Sequence, residues 1–137
     1  MSQPATVQHF NPSELPQNPA WTNVVTVTGP ATTVYVGGQN AVTASGEIVG
    51  KDDIAVQTAQ VFRNLESALA AAGARLEHVI KWTLYVVDGQ PLQPGLEVFQ
   101  RVWGSRPDPL VITAAMVSAL AHPDFLIELD AIAVIPG

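Results

Sequence analysis

Cysteine is absent from the 137-residue chain, so no disulfide framework, thiolate nucleophile or cysteine-based metal site is available to it. Charge is scarce as well: Asp, Glu, Lys and Arg make up 13% of the residues, against ~25% in a typical soluble domain. Cations are scarcer still. Six Lys plus Arg face twelve Asp plus Glu, for a formal charge of -6, and no basic stripe exists to track phosphates, which argues against a nucleic-acid partner. No apolar run approaches the roughly 20 residues of a membrane span. The first residues also lack the basic and apolar regions of a signal peptide. The expectation is a soluble, cytoplasmic protein with no membrane association.

Hydrophobic residues, by contrast, make up 47% of the chain. A chain of this length suits one domain and buries roughly two-thirds of its unfolded surface. With so little charge to cover the remainder, further burial by self-association is predicted. No internal repeat divides the chain, and residues 1–137 are read as a single domain.

The chain is organised around its last strand, predicted from Leu126 to Val134. Side chains alternate with period two, so Ile127, Leu129, Ala131 and Ala133 share one face and Glu128, Asp130, Ile132 and Val134 the other. The first face suits a helix-covered core. The second must serve both large apolar groups and two acids, as an inter-subunit surface or a lined cleft does.

The first twenty residues hold Pro4, Pro12, Pro16 and Pro19 and predict an irregular arm, neither helical nor paired. Val24–Thr28, a turn at 29–32 and a strand over 33–37 predict a β-hairpin. Gly37-Gly38 then marks either a bulge at the strand end or a place where a ligand approaches the bare backbone. Asp52-Asp53 offers an N-cap to an amphipathic helix running to Ala72, with Ile54, Thr58, Val61, Phe62, Leu65 and Leu69 inward and Gly73 as its stop. Arg63 and Glu66 fall on its wet side as a solvated pair. A strand over Val79–Val87 turns Ile80, Trp82, Leu84 and Val86 to the core. A helix from Leu92 to Trp103, with Leu96, Phe99 and Trp103 inward, and a strand over 110–117 complete the list. His9, His78 and His122 are scattered over the arm and two turns and form no catalytic or metal-binding group. The economical packing is α+β: one sheet with two helices on one face, the other face left for a further subunit.

Tyr35-Val36-Gly37-Gly38-Gln39, Leu69-Ala70-Ala71-Ala72-Gly73-Ala74, Leu76-Glu77-His78-Val79-Ile80-Lys81 and Ile127-Glu128-Leu129-Asp130-Ala131-Ile132-Ala133 together resemble the reactive intermediate deaminase family (RidA, or YjgF-type, also labelled endoribonuclease L-PSP). The resemblance runs in order from Trp21 onward. It implies a chorismate-mutase-like α+β fold, a homotrimer with its sheets facing inward, and three clefts between subunits. It further implies hydrolysis of enamines and imines to keto acids and ammonia, with neither metal nor organic cofactor.

Carried over by position, the resemblance makes Glu128 and Gly38 the catalytic candidates. Trp21, Gly37, Leu96, Val111, Ile112 and Ala114 are the substrate-binding ones. The departures are specific. Gly37 stands where the family has a serine, Trp21 where it has a tyrosine, and Leu96 where it has an asparagine. The arginine that would bind a substrate carboxylate is replaced by Val111 or Ile112 in Pro109-Leu110-Val111-Ile112-Thr113. Arg101 and Arg106 are the nearby candidates to take its place. Leaving a ligand carboxylate unpaired in such a site costs roughly 3–5 kcal/mol, so a less anionic metabolite is expected.

Glu128 is read either as the group that positions water or as a structural partner of backbone amides at the trimer interface, and Asp130 as a cross-strand partner of Lys81. Two functions follow: a deaminase-type hydrolase on a small, less anionic metabolite, or a non-catalytic trimer that binds a small molecule in the same cleft. The acidic chain and dispersed histidines argue against ribonuclease chemistry. The absence of cations from the expected cleft argues against a mutase of diacids.

Overall fold

The computed structural model describes residues 5–137; residues 1–4 of the predicted arm, Pro4 among them, lie outside it. In chain order the strands are β1 (Thr6–Phe10), β2 (Val24–Thr28), β3 (Ala31–Gln39), β4 (Val79–Val87), β5 (Val111–Val117) and β6 (Ile127–Pro136). The helices are α1 (Ile54–Ala71) and α2 (Gln93–Trp103), with a short 3-10 turn at Leu76–His78. The four long strands form one sheet in the order β3-β6-β4-β5, antiparallel except for the β4–β5 pair. The acidic strand β6 is therefore central, as its sequence predicts, while β3 and β5 are the two edges.

Strand β6 is central because one face of it is almost wholly apolar. Ile127, Leu129, Ala131 and Ala133 are buried, while Glu128, Asp130 and Ile132 on the other face are half-buried. Helix α1 closes the first face. Asp53 caps it, its Oδ1 accepting from the Ala55 and Val56 amides at 3.1 and 3.2 Å. Its end is a left-handed Gly73 (φ 78°), with the Ala74 amide donating to the Leu69 carbonyl at 2.9 Å, as in a Schellman motif. The predicted stripe Ile54, Thr58, Val61, Phe62, Leu65 and Leu69 is buried. Gln57 joins it, fully buried. Its amide donates to the Asp124 carbonyl and its oxygen accepts the Leu126 amide, at 2.7 and 2.9 Å, so that it seats the start of β6.

Four expectations are corrected. Residues 6–10 of the arm form a strand, and β1 pairs antiparallel with β2 as a separate two-stranded ribbon. Consequently β2 and β3 do not form a hairpin. Strand β2 has no buried side chain, whereas β3 buries Val34 and Val36 and joins β6. The turn between them hands the chain from ribbon to sheet, and the Pro30 carbonyl accepts amides from both Ala5 and Gly137. In β4 the pairing with β6 shifts between Val79 and Lys81, so Val79 rather than Ile80 enters the core. In α2 the buried residues are Val98 and Trp103, while Leu96 is 44% exposed.

Trp82 stands at the centre of an aromatic group, edge-on to Phe62, Phe99 and Trp103 with ring centroids 5.4, 5.3 and 5.9 Å away. Edge-to-face pairs at such spacings add to the area they bury. They join α1, β4 and α2 into one core.

Candidate functional site

The strand registers assign each candidate residue to a face, because directly paired residues point to the same side. Trp82, Leu84 and Val86 pair with Ala131, Leu129 and Ile127 of β6 and with Ile112, Ala114 and Met116 of β5, all on the helix side. Thr83 and Tyr85 pair with Asp130 and Glu128 and with Thr113 and Ala115, all on the open side. Val111, paired with Lys81, lies there too. The expected site is thereby divided. Glu128 lies on the open face of its own sheet, with Val111 and Thr113 two strands away. Ile112 and Ala114 turn to the helix side, Ile112 half-buried and Ala114 exposed.

On the open face the glycine pair has a concrete role. The β3–β6 pairing is interrupted between Val36 and Gln39, a bulge at Gly37-Gly38. A Cβ at Gly38 would lie 2.6 Å from Glu128 Oε2 and 2.9 Å from its Cδ, whereas one at Gly37 would meet nothing. The bulge reading holds, and the group found against the bare backbone at Gly38 is the Glu128 side chain. The bulge is anchored by residues that sequence reasoning passed over. Asn40 donates to the Ile127 carbonyl at 3.2 Å, and Asn64 of α1 donates to the Asn40 and Val42 carbonyls at 2.9 and 2.8 Å. The legible signal was an asparagine two residues beyond the glycines and another amid the apolar stripe of α1.

On the helix side, Trp21, Leu96, Ile112 and Ala114 line one cavity of about 520 Å³, whose floor includes Phe62, Trp82, Leu84, Phe99 and Leu129. Trp21 is held at this cavity by its neighbour: the Thr22 amide donates to the Leu110 carbonyl at 3.0 Å and its hydroxyl to that of Pro109, just before β5. Asn23 ties the arm back through Asn11 and Pro16. The one lining hydroxyl, Thr58, already donates to the Ile54 carbonyl at 2.6 Å. Among the described residues, no charged side chain lines the cavity. Gly95 lets α2 approach α1, since a Cβ there would lie 3.3 Å from Thr58 Oγ1.

The cations are elsewhere. Arg106 donates to the Val102 and Trp103 carbonyls at 2.8 and 2.6 Å and sits 5.7 Å over the Trp103 ring, closing the end of α2. It lines a second depression, of about 480 Å³, with His9, Arg75, His78 and Asp108. Arg101 is exposed on α2 and lines neither cavity. Neither arginine reaches Ile112 or Ala114. Lys81 and Asp130 share the open face as diagonal neighbours without pairing; the ion pair found among the described residues joins Arg75 and Glu77. No cluster of three or more His, Asp or Glu suited to a metal occurs among the described residues. None of their helices is long and apolar enough to cross a membrane.

Two helices on one face of a four-stranded sheet, with an acidic central strand on the bare face, make this a chorismate-mutase-like α+β protein. The endoribonuclease L-PSP family model matches residues 13–135, and the chain belongs to that family, the RidA or YjgF proteins. A RutC family protein of Pyrococcus horikoshii is 43% identical over 89 residues, 65% of this chain and 68% of the relative. One of Pyrococcus abyssi is 39% identical over 101 residues, 73% and 76% of the two chains. Among solved structures, the Rid family protein YyfB of Yersinia pestis superposes with a TM-score of 0.79 at 32% identity, covering 94% of this chain and 98% of that one. TdcF of Escherichia coli, solved with bound serine, superposes with 0.68 at 26% identity, covering 75% and 80%.

Proposed function

We propose that this chain forms a homotrimer whose clefts hydrolyse a small, weakly charged imine or enamine. The observation that carries the reading is the division of the site. Glu128 and Gly38 lie toward the β3 edge and open face, while Trp21, Leu96, Ile112 and Ala114 lie at the β5 edge on the opposite face. Residues at opposite edges of one sheet meet when the β3 edge of one copy approaches the β5 edge of the next. Each cleft then takes its carboxylate from one chain and its apolar wall from another. The solved TdcF complex with serine supports small-molecule binding by this fold.

The chemistry needs little apparatus. An enamine that gains a proton at carbon and loses one from nitrogen becomes an imine. Water adds to the imine carbon while the nitrogen gains a proton, and the carbinolamine collapses to a ketone or aldehyde and ammonia. Glu128 serves as the group that holds and deprotonates the water, and the open backbone at Gly38 leaves room beside it. No cation lines the cavity, so a substrate carboxylate has no partner there. That is a specific reason to keep the second reading, a trimer that binds a neutral metabolite without turning it over.

The distinguishing experiment measures ammonia release from a neutral imine, with 2-aminoacrylate generated in situ as the anionic comparison. Faster release from the neutral imine supports the hydrolase. No acceleration of either leaves the binding reading.

Gly38→Ala offers a finer test. The added methyl collides with the far end of a flexible side chain rather than with backbone, so the variant should fold and melt close to the wild type. Displacing Glu128 by about 1 Å should still lower hydrolysis by about 10²-fold. Unchanged activity in a folded Gly38→Ala would remove Glu128's placement from the mechanism.

A further inference from the structure

The apolar cavity extends well past the cleft wall that the proposed reading requires. From its mouth at Leu96 and Met116, 44% and 46% exposed, it reaches inward between α2 and the sheet to the rings of Phe62, Trp82 and Phe99. Its volume of about 520 Å³ lies within the 300–1,000 Å³ range of small-molecule pockets. Such pockets normally carry a few polar groups that orient the ligand. Here the lining hydroxyl of Thr58 is already committed to the Ile54 carbonyl. A carboxylate inside the cavity would thus lose its water with neither a cation nor a free hydroxyl to replace it.

Resting on the cleft reading above, we infer that this cavity is a side-chain pocket for an uncharged aromatic or branched aliphatic substituent, and that it selects the ligand by that substituent. The mouth admits the group at the β5 edge and the aromatic floor packs against it. The reacting polar end stays outside, at the cleft. Selection is then by apolar size, each buried methylene contributing about fourfold in affinity until the cavity is filled.

The test uses phenylacetamide and phenylacetate as probes, titrated into the full-length protein and followed by tryptophan fluorescence, because Trp21 and Trp82 both line the cavity. Phenylacetamide should saturate at a concentration at least about tenfold below phenylacetate, since the polar end lies at the cleft beside Glu128, where a carboxylate meets a like charge and no cation. Ala114→Phe, which fills the cavity, should weaken phenylacetamide by about tenfold or more. Leu96→Glu, at an exposed position that folding tolerates, should do the same by placing a charge at the mouth. Equal or tighter binding of phenylacetate, unchanged affinity in both variants, or no saturable binding would overturn the inference. Light scattering on the same samples separates it from the cleft reading. A trimer that ignores phenylacetamide overturns the pocket alone, and a monomer that binds it overturns the shared cleft alone.

Discussion

Glu128→Gln should lower imine hydrolysis by about 10²- to 10⁴-fold, the range associated with loss of a positioned general base, while leaving assembly and melting intact. The amide has the carboxylate's shape and still fits against the bulge at Gly37-Gly38, where the backbone passes close to Oε2. What it cannot do is accept a proton from water. The structural reading of Glu128, as a partner for backbone amides, predicts the reverse: activity kept and the melting temperature lowered. Comparing turnover with thermal unfolding in the one variant decides between them.

Trp82→Ala should destabilise the fold by about 3–5 kcal/mol. The side chain is 2% exposed and touches three other aromatic rings contributed by α1 and α2. Its removal costs the transfer of a large apolar surface and three edge-on ring contacts. It also enlarges a cavity that already exists on the same side of β4. A loss of that size is a large part of the 5–15 kcal/mol that typically holds a domain together. Denaturant unfolding should show a lower midpoint with little change in slope. A loss below about 1 kcal/mol would mean that the floor of the cavity repacks freely, which would weaken the case for a preformed pocket.

Much of the scaffold was legible because its signals are local. The alternation in β6, the stripe and caps of α1 and the bounds of β4 each depend on a few neighbouring residues. The ribbon was not legible, since Thr6–Phe10 turns no continuous apolar face to a core; even Phe10 is 42% exposed. The missing β2–β3 hairpin has a related cause: a turn signal shows where the chain reverses but not which strand becomes the neighbour. Leu96 was misplaced because α2 leans on α1 at Gly95 and buries Val98 and Trp103, a rotation set by the packing of two helices.

The site shows the same division. That Glu128 and Gly38 belong together came from family resemblance; that one touches the other across 90 residues of chain required the sheet. Val111 and Ile112 were interchangeable in the sequence, because the face of β5 is set by its parallel pairing with β4, from Lys81 with Val111 to Val87 with Val117. One step of register sends Ile112 into the cavity and leaves Val111 on the face of Glu128.

The absence of cysteine allows the shared cleft to be tested without background. Gly37→Cys puts a thiol on the β3 bulge, where a side chain meets nothing, and Ala115→Cys puts another on the exposed β5 edge. Within one chain these positions sit on opposite edges of the sheet, separated by β6 and β4. Treatment of the double variant with a short bis-maleimide should therefore link chain to chain into dimers and closed trimers, with neither single variant linking efficiently. A double variant that remains monomeric under these conditions, with both thiols reactive, would contradict a cleft built from the β3 edge of one subunit and the β5 edge of the next.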